Sequence, residues 1–149
     1  MIQKLNHRKA SIAKEIHRVF QASYKVEAEL LGAKDFPPLK RTVKDFMEST
    51  ASFYGILKDK EIAGIVQVST KGNVTDINSL VVHPDYFRQG LGKQLVAHVL
   101  STYDSDTFTV ETGVDNKPAI QLYERLGFSE KDQWDTSIGI RKIGFIKTM

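Results

Sequence analysis

The stretch from Thr75 to His98, TDINSLVVHPDYFRQGLGKQLVAH, constrains the fold more than any other part of this chain. It reads as a strand from Thr75 to Val82, a turn at His83-Pro84, a glycine loop from Arg88 to Gly92, and then a helix. The strand rests on the β-favouring run Ser79-Leu80-Val81-Val82 and its proline stop. The helix rests on Leu91, Leu95, Val96, Val99 and Leu100, which share one face at a period of 3.6. A glycine loop that opens a helix leaves several backbone N–H groups without internal partners, all aimed the same way. With the positive end of the helix dipole they suit an anion, most naturally a phosphate. Gly90 and Gly92 leave no Cβ between the backbone and such a group. The alternative is a tight turn with no ligand. Two commoner phosphate motifs are absent. A dinucleotide fingerprint needs a small residue where Leu95 stands. A P-loop needs Ser or Thr after Gly92-Lys93, where Gln94 stands, and a Gly where Phe87 stands.

A second block, Asn116-Lys117-Pro118-Ala119-Ile120-Gln121-Leu122-Tyr123-Glu124-Arg125-Leu126-Gly127-Phe128, follows at a distance. The order strand, Val-x-Pro, loop, Gly-x-Gly, helix resembles the central motif of the GCN5-related N-acetyltransferase (GNAT) superfamily. The second block resembles that family's Asn-x-x-Ala-x-x-x-Tyr-x-x-x-Gly-Phe pattern. The two blocks stand in the family's order and cover about the C-terminal half. The resemblance implies an enzyme that moves an acetyl group from acetyl-CoA to a primary amine by direct attack on the thioester. It implies that Arg88, Gln89, Gly90, Leu91, Gly92 and Lys93 hold the pyrophosphate, largely through backbone amides. It also implies that backbone groups around Leu80, Val81 and Val82 hold the acetyl carbonyl and the pantetheine arm. One departure stands out: the family's loop usually opens with Gln or Arg where this chain has Phe87. Arg88 lies one step later, so the side-chain contacts to the phosphates are expected to differ.

Acetyl transfer to an amine needs more than a held donor. An alkylamine has a pKa near 10 and is protonated at neutral pH, so something must take a proton from it, directly or through water. By its place relative to the loop, the resemblance implies Asp76 as that base; the residues alone fit equally a surface Asp at a strand start. Asn78, on the same face, is able to orient a water. Tyr123 matches the family tyrosine that protonates the departing thiolate, and it also fits a plain core position. Asn116 fits either a contact to the pantetheine or a helix cap. His83 ends a strand on a proline turn and is discounted as a base. His7, His17 and His98 are too scattered to suggest a metal, and no metal is expected. Trp134 with Phe128 either packs the last strands or lines an acceptor pocket.

The length of 149 residues suits one domain with a sizeable core. With no cysteine, there is no disulfide framework, thiolate nucleophile or zinc-thiolate site. No N-terminal apolar run and no stretch of 18 apolar residues is present, so a cytoplasmic protein without a membrane span is expected. Residues 1–75 carry 13 Lys and Arg against 8 acids, and residues 76–149 carry 8 against 10. The basic charges are scattered with no aromatic platform between them, so a solvated surface is expected rather than nucleic-acid binding.

Read in order, the chain predicts a strand at Ile2–Leu5 and a helix from Lys9 to Leu31 ended by Gly32. A stiff link at Pro37-Pro38 and a helix from Leu39 to Ser49 follow. Strands at Ser52–Leu57 and Ile62–Ser69 form a hairpin before the central strand and helix. Another strand runs from Thr107 to Thr112, a helix begins at Asn116, and two strands lie between Phe128 and Lys147. The order β-α-α-β-β-β-α-β-α-β-β predicts a mixed α/β or α+β fold, with a twisted mixed sheet of six to seven strands and helices on both faces. The acceptor side is expected from the N-terminal helices, the Pro37-Pro38 link and the loop before the last strand. The acceptor itself, a small-molecule amine or a protein amino group, stays open, as does a homodimer. Two other functions compete: a CoA-binding regulatory module without turnover, and a basic nucleic-acid-binding domain.

Overall fold

The computed structural model describes residues 1–149. Seven strands form one sheet: β1 (Ile2–Lys4), β2 (Ser52–Lys58), β3 (Glu61–Lys71), β4 (Val74–Val82), β5 (Thr107–Gly113), β6 (Ser129–Asp135) and β7 (Arg141–Thr148). Their order is β1-β2-β3-β4-β5-β7-β6. Every neighbouring pair is antiparallel except β4 and β5, whose connection crosses over through a helix and so makes them parallel. Four helices complete the order read from the sequence: α1 (Ala10–Leu31), α2 (Val43–Glu48), α3 (Leu91–Thr102) and α4 (Lys117–Arg125).

The sheet separates two cores. On one face the α1 stripe Ala13, Ile16, Val19, Phe20, Tyr24 and Ala28 meets Phe46 of α2 and Phe53, Ile65 and Val81 of the sheet. On the other, Leu91, Leu95, Val96 and Val99 of α3 meet Tyr123 of α4 together with Val66, Ile77 and Phe108. Each fully buried Leu or Phe contributes about 1.5–3 kcal/mol relative to exposure, so these two stripes dominate the placement of the helices. Gly32 ends α1 as the sequence reading expects, with φ +63 and its N–H turned back to Glu29 O. The β2–β3 hairpin turns through Asp59 (φ +50) and Lys60 (φ +66), the primed geometry that matches strand twist.

The second helix is shorter than expected. Pro37–Lys40 forms a 3-10 turn, Arg41 and Thr42 are extended, and α2 begins only at Val43. The cause is a capping box: Asp45 N–H donates to Thr42 Oγ1 (3.1 Å) and Thr42 N–H donates to Asp45 Oδ2 (2.8 Å). Two orphan donors are satisfied at Thr42, which starts the helix there and leaves Arg41 outside it.

Candidate active site

The turn after β4 builds an amide-lined concavity. His83 Nδ1 accepts from Asp85 N–H (3.1 Å), so this ring stabilises the proline turn. Beyond it, Arg88 (φ +64) and Gly90 (φ +75) both adopt the left-handed conformation. Left-handed residues alternating with ordinary ones turn successive N–H groups to the same side. The amides from Arg88 to Lys93 find no acceptor within the chain, and the first return bond of α3 is Gln94 N–H to Gly90 O (3.1 Å). Leu91 has its side chain buried in the α3 core, so only its amide faces the loop. Phe87 and Arg88 are exposed, and no atom beyond its own chain neighbours comes within 4 Å of the Cβ position of Gly90. Six free donors around an open glycine fit a pyrophosphate group.

Beside this loop the sheet opens. β4 pairs with β5 only from Val74↔Thr107 to Ile77↔Val110, although both strands run on. β4 continues along β3, and β5 along β7, so the two diverge. A bulge marks the point of departure: Gln67 faces Ser79 and Val68 faces Ile77, which makes Asn78 the extra residue. His83 N–H donates to Ala63 O (2.8 Å), and alternation along an antiparallel strand then fixes the rest. Val81 directs its N–H and C=O to β3, while Leu80 and Val82 direct theirs into the gap. The structure therefore corrects Val81. Its backbone belongs to the ladder and its side chain is 1% exposed in the α1 core.

The gap leads into a cavity of about 550 Å³. Its walls come from α1, from Phe36–Arg41, from Asn78–Leu80, from α4, and from Thr136–Ile138 before β7. Three of them, α1, the Pro37-Pro38 link and the loop before β7, are among the segments from which the sequence reading expects the acceptor side; α2 lines no part of it, and Asn78–Leu80 and α4 are added. Tyr123 reaches the wall from α4, with its ring against Phe128 (5.8 Å) and Phe145 (5.9 Å). Its hydroxyl makes no hydrogen bond in the chain, yet no fully buried polar side-chain atom lacks a partner. That hydroxyl therefore meets the cavity. Burial drives its pKa far above the ordinary tyrosine value, with the charges of Tyr24 and Glu27 adding to the effect, so it stays a neutral donor.

Glu27 is the carboxylate of α1 that the cavity holds, half-buried one helical turn after Tyr24. Its Oε1 accepts from Asn116 Nδ2 (3.0 Å). Burial raises its carboxyl above the usual range, opposed by Lys142 and by the Asn116 hydrogen bond. Tyr24, whose hydroxyl donates to Ser79 Oγ (3.1 Å), is pushed up to about 12, first by burial and then by Glu27. Sequence reasoning missed Glu27. The one signal for it is an acid set beside the apolar stripe of α1, three residues after a tyrosine of that stripe.

Asn116 caps α4, its Oδ1 accepting from Ala119 N–H (3.3 Å), while its Nδ2 is shared by Glu27 and Thr112 Oγ1 (3.3 Å). Every polar atom of its side chain is engaged, so of the two roles the sequence allows, a contact to the pantetheine or a helix cap, the structure shows the cap. It also ties the α4 terminus to Glu27. Asp76 is displaced. Thr109 Oγ1 donates to its Oδ1 (2.6 Å) and Asn78 Nδ2 to its Oδ2 (2.7 Å), and it lines a separate hollow with Lys131 and Trp134. Trp134 stacks there against β7, whereas Phe128 packs under Tyr123 on the opposite face.

The acetyltransferase (GNAT) family pattern matches residues 13–128. The UPF0157 protein YqkA of Bacillus subtilis is 34% identical over 94% of this chain, which spans 41% of that protein. The bS18-alanine N-acetyltransferase of Escherichia coli is 42% identical over 35% of the chain and 37% of its own length. The chain thus matches about two-fifths of the length of these relatives. Among solved structures, the Escherichia coli ribosomal-protein-S18-alanine N-acetyltransferase superposes with a TM-score of 0.77 at 22% identity, covering 99% of this chain and 92% of that one. The PaiA N-acetyltransferase of Thermoplasma acidophilum, in complex with coenzyme A, superposes with a TM-score of 0.80 at 16% identity over 100% and 98%. With a strand–loop–helix of free amides, a parted β4–β5 pair and a family match over most of its length, this chain belongs to the GNAT family of acetyltransferases.

Proposed function

We propose that this chain transfers an acetyl group from acetyl-CoA to a primary amine that enters the cavity between α1 and the β4–β5 gap. The observation that carries it is the Tyr123 hydroxyl, neutral and without a partner, facing that cavity next to the unpaired backbone of β4. Acetyl-CoA fits the site as found: the amides of Arg88 to Lys93 suit its diphosphate, and the Leu80 and Val82 backbone suits a strand-like arm. It supplies an activated acyl carbonyl joined to a thiol leaving group.

The chain's own residues do the rest. Glu27 takes the surplus proton of the incoming ammonium group, which frees the nitrogen lone pair to form the C–N bond. Burial lifts the Glu27 carboxyl toward the operating pH, where a base transfers protons most effectively. The backbone N–H groups of Leu80 and Val82 donate to negative charge that develops on the carbonyl oxygen. As the C–S bond breaks, Tyr123 gives its O–H proton to the sulfur and takes back the second proton that the nitrogen sheds in becoming the amide, so the thiol leaves neutral and Glu27 keeps the ammonium proton. A site volume of about 550 Å³ accommodates a small amine or the amine end of a longer chain.

The experiment is thiol release from acetyl-CoA with a panel of amines, on wild type and Tyr123→Phe. Tyr123→Phe keeps the ring contacts with Phe128 and Phe145. It is expected to bind CoA nearly as well and turn over at least about tenfold more slowly, with the roughly 10²–10⁴ contribution of general acids as the ceiling. Wild-type turnover by the Phe variant, measured where chemistry limits the rate, removes Tyr123 from the mechanism. Saturable CoA binding with no turnover of any amine favours a regulatory CoA-binding module instead.

A further inference from the structure

Resting on the acetyl-transfer reading, we propose that the acceptor amine also carries a carboxylate, and that Arg41 is its anchor. Arg41 stands in the cavity wall just outside α2, and its position is fixed from two sides. Its Nη1 donates to Gln67 Oε1 (2.8 Å), and its guanidinium lies 4.2 Å from the centre of the Phe46 ring and 5.3 Å from that of Phe20. A guanidinium has five N–H donors, and only one is used here.

No acid answers this cation. The five ion pairs of the chain do not include Arg41. Asp45, the acid whose field reaches it, is engaged by the Thr42 amide in the α2 cap. Glu111 is taken by the other cation of the cavity, Lys142, at 3.1 Å. Desolvation disfavours the charged form of Arg41, so a ligand that restores an anion to its free fork recovers what burial costs. A planar carboxylate matches two parallel guanidinium N–H groups, which a neutral or cationic acceptor does not.

The polar chain behind Arg41 keeps it in that pose. Gln67 Nε2 donates to Asn78 Oδ1 (3.4 Å), and Asn78 Nδ2 donates to Asp76 Oδ2 (2.7 Å). Asp76 thereby orders two amides so that the Gln67 oxygen is left for Arg41. It acts through other groups, as a positioning residue.

The cavity is also polarised along its length. Along α1 the order is Phe20, Tyr24 and Glu27, and the Arg41 guanidinium lies 5.3 Å from the Phe20 ring, so cation and carboxylate stand at opposite ends of this stretch with Tyr24 in it. An acceptor with an ammonium group at Glu27 and a carboxylate at Arg41 complements both ends. Phe20 and Glu27 are two turns apart, about 10 Å of helix rise, with the guanidinium at the Phe20 end. That span favours a chain of several bonds between the two groups over an α-amino acid.

The test compares β-alanine, 4-aminobutyrate and 5-aminovalerate with the corresponding amides as acceptors, for wild type, Arg41→Gln and Arg41→Lys. Wild type is expected to favour each acid over its amide by about tenfold or more in kcat/KM, mainly through KM. Arg41→Gln should bring the acid-to-amide ratio close to one, and Arg41→Lys should keep part of it, with the KM for acetyl-CoA as an internal control. If Arg41→Gln fails to fold, the wild-type ratio and Arg41→Lys decide. Acids and amides acetylated equally by wild type, or a ratio that survives in Arg41→Gln, overturn the proposal while leaving acetyl transfer standing. No turnover of any amine overturns both.

Discussion

The two ends of the site are built in opposite ways. The loop from Arg88 to Lys93 is contiguous and presents backbone amides, so its geometry follows from two left-handed residues and a helix start. The cavity proposed for the acceptor is assembled from residues of α1, the Phe36–Arg41 link, β4, α4 and the Thr136–Ile138 loop. Backbone donors are indifferent to the side chains between them, and the exposed Phe87 leaves the amides from Arg88 to Lys93 free. The cavity has no such freedom. Its charged groups Glu27 and Arg41 are aimed by partners on other elements, Asn116 and Gln67. On the proposed function, such a site would hold its acetyl donor by a local rule and select its acceptor by a tertiary one.

The sharpest break between the two ends should come from Gly90→Glu. The backbone at Gly90 has φ +75, where a non-glycine residue costs roughly 1–2 kcal/mol, and the new carboxylate would stand among the phosphate donors. Wild type should show a saturable rise in Tm with CoA, and the variant should show none at millimolar CoA while remaining folded. Normal CoA binding by Gly90→Glu would move the phosphates away from this loop.

Glu27→Gln tests the other end and should leave CoA binding alone. Turnover at pH 7 should fall by about 10²-fold or more, as for loss of a general base, and the deficit should shrink as the pH nears the amine's own pKa. The ascending limb that wild type owes to the raised Glu27 carboxyl should vanish from the pH–rate profile. Stability should move the other way. Burial raises this carboxyl in the folded chain, so the cost of ionising it is absent below the ordinary carboxylate range and appears as the pH climbs through the raised value. Glu27→Gln should therefore melt above wild type at pH 7, with the gap closing toward pH 4. A profile identical to wild type would return the proton transfer to water.

Asp76→Asn should have the smallest effect, a few-fold at most in turnover, because both Asp76 oxygens are engaged outside the cavity. A loss of about tenfold or more at pH 7 that is recovered near the amine pKa would restore Asp76 as the base and blur the division between the two ends.

The order of seven strands and four helices was readable along the chain because each element carries its own period and stop signals. Leu91, Leu95, Val96 and Val99 trace α3, Gly32 ends α1, and the Asn116 block announces α4 and Tyr123. Helical spacing puts the N-terminus of α2 at Leu39, but the helix begins at Val43 because a reciprocal Thr42–Asp45 cap, which depends on two side chains, outweighs that spacing. The role of Val81 turned on which neighbour its backbone addresses, and a one-residue bulge at Asn78 settles that across strands. Asp76 and Glu27 show the same limit from both sides. Counting along one strand puts a carboxylate near the loop, but whether it meets the cavity depends on where β4 parts from β5 and on what Thr109 and Asn78 offer. Glu27 lies 89 residues before Asn116, and only the packing of α1 across the sheet brings the pair to 3.0 Å. Local periodicity, turns and backbone donors are determined by sequence neighbours. The burial, partners and proton affinity of a side chain come from whatever the fold packs against it.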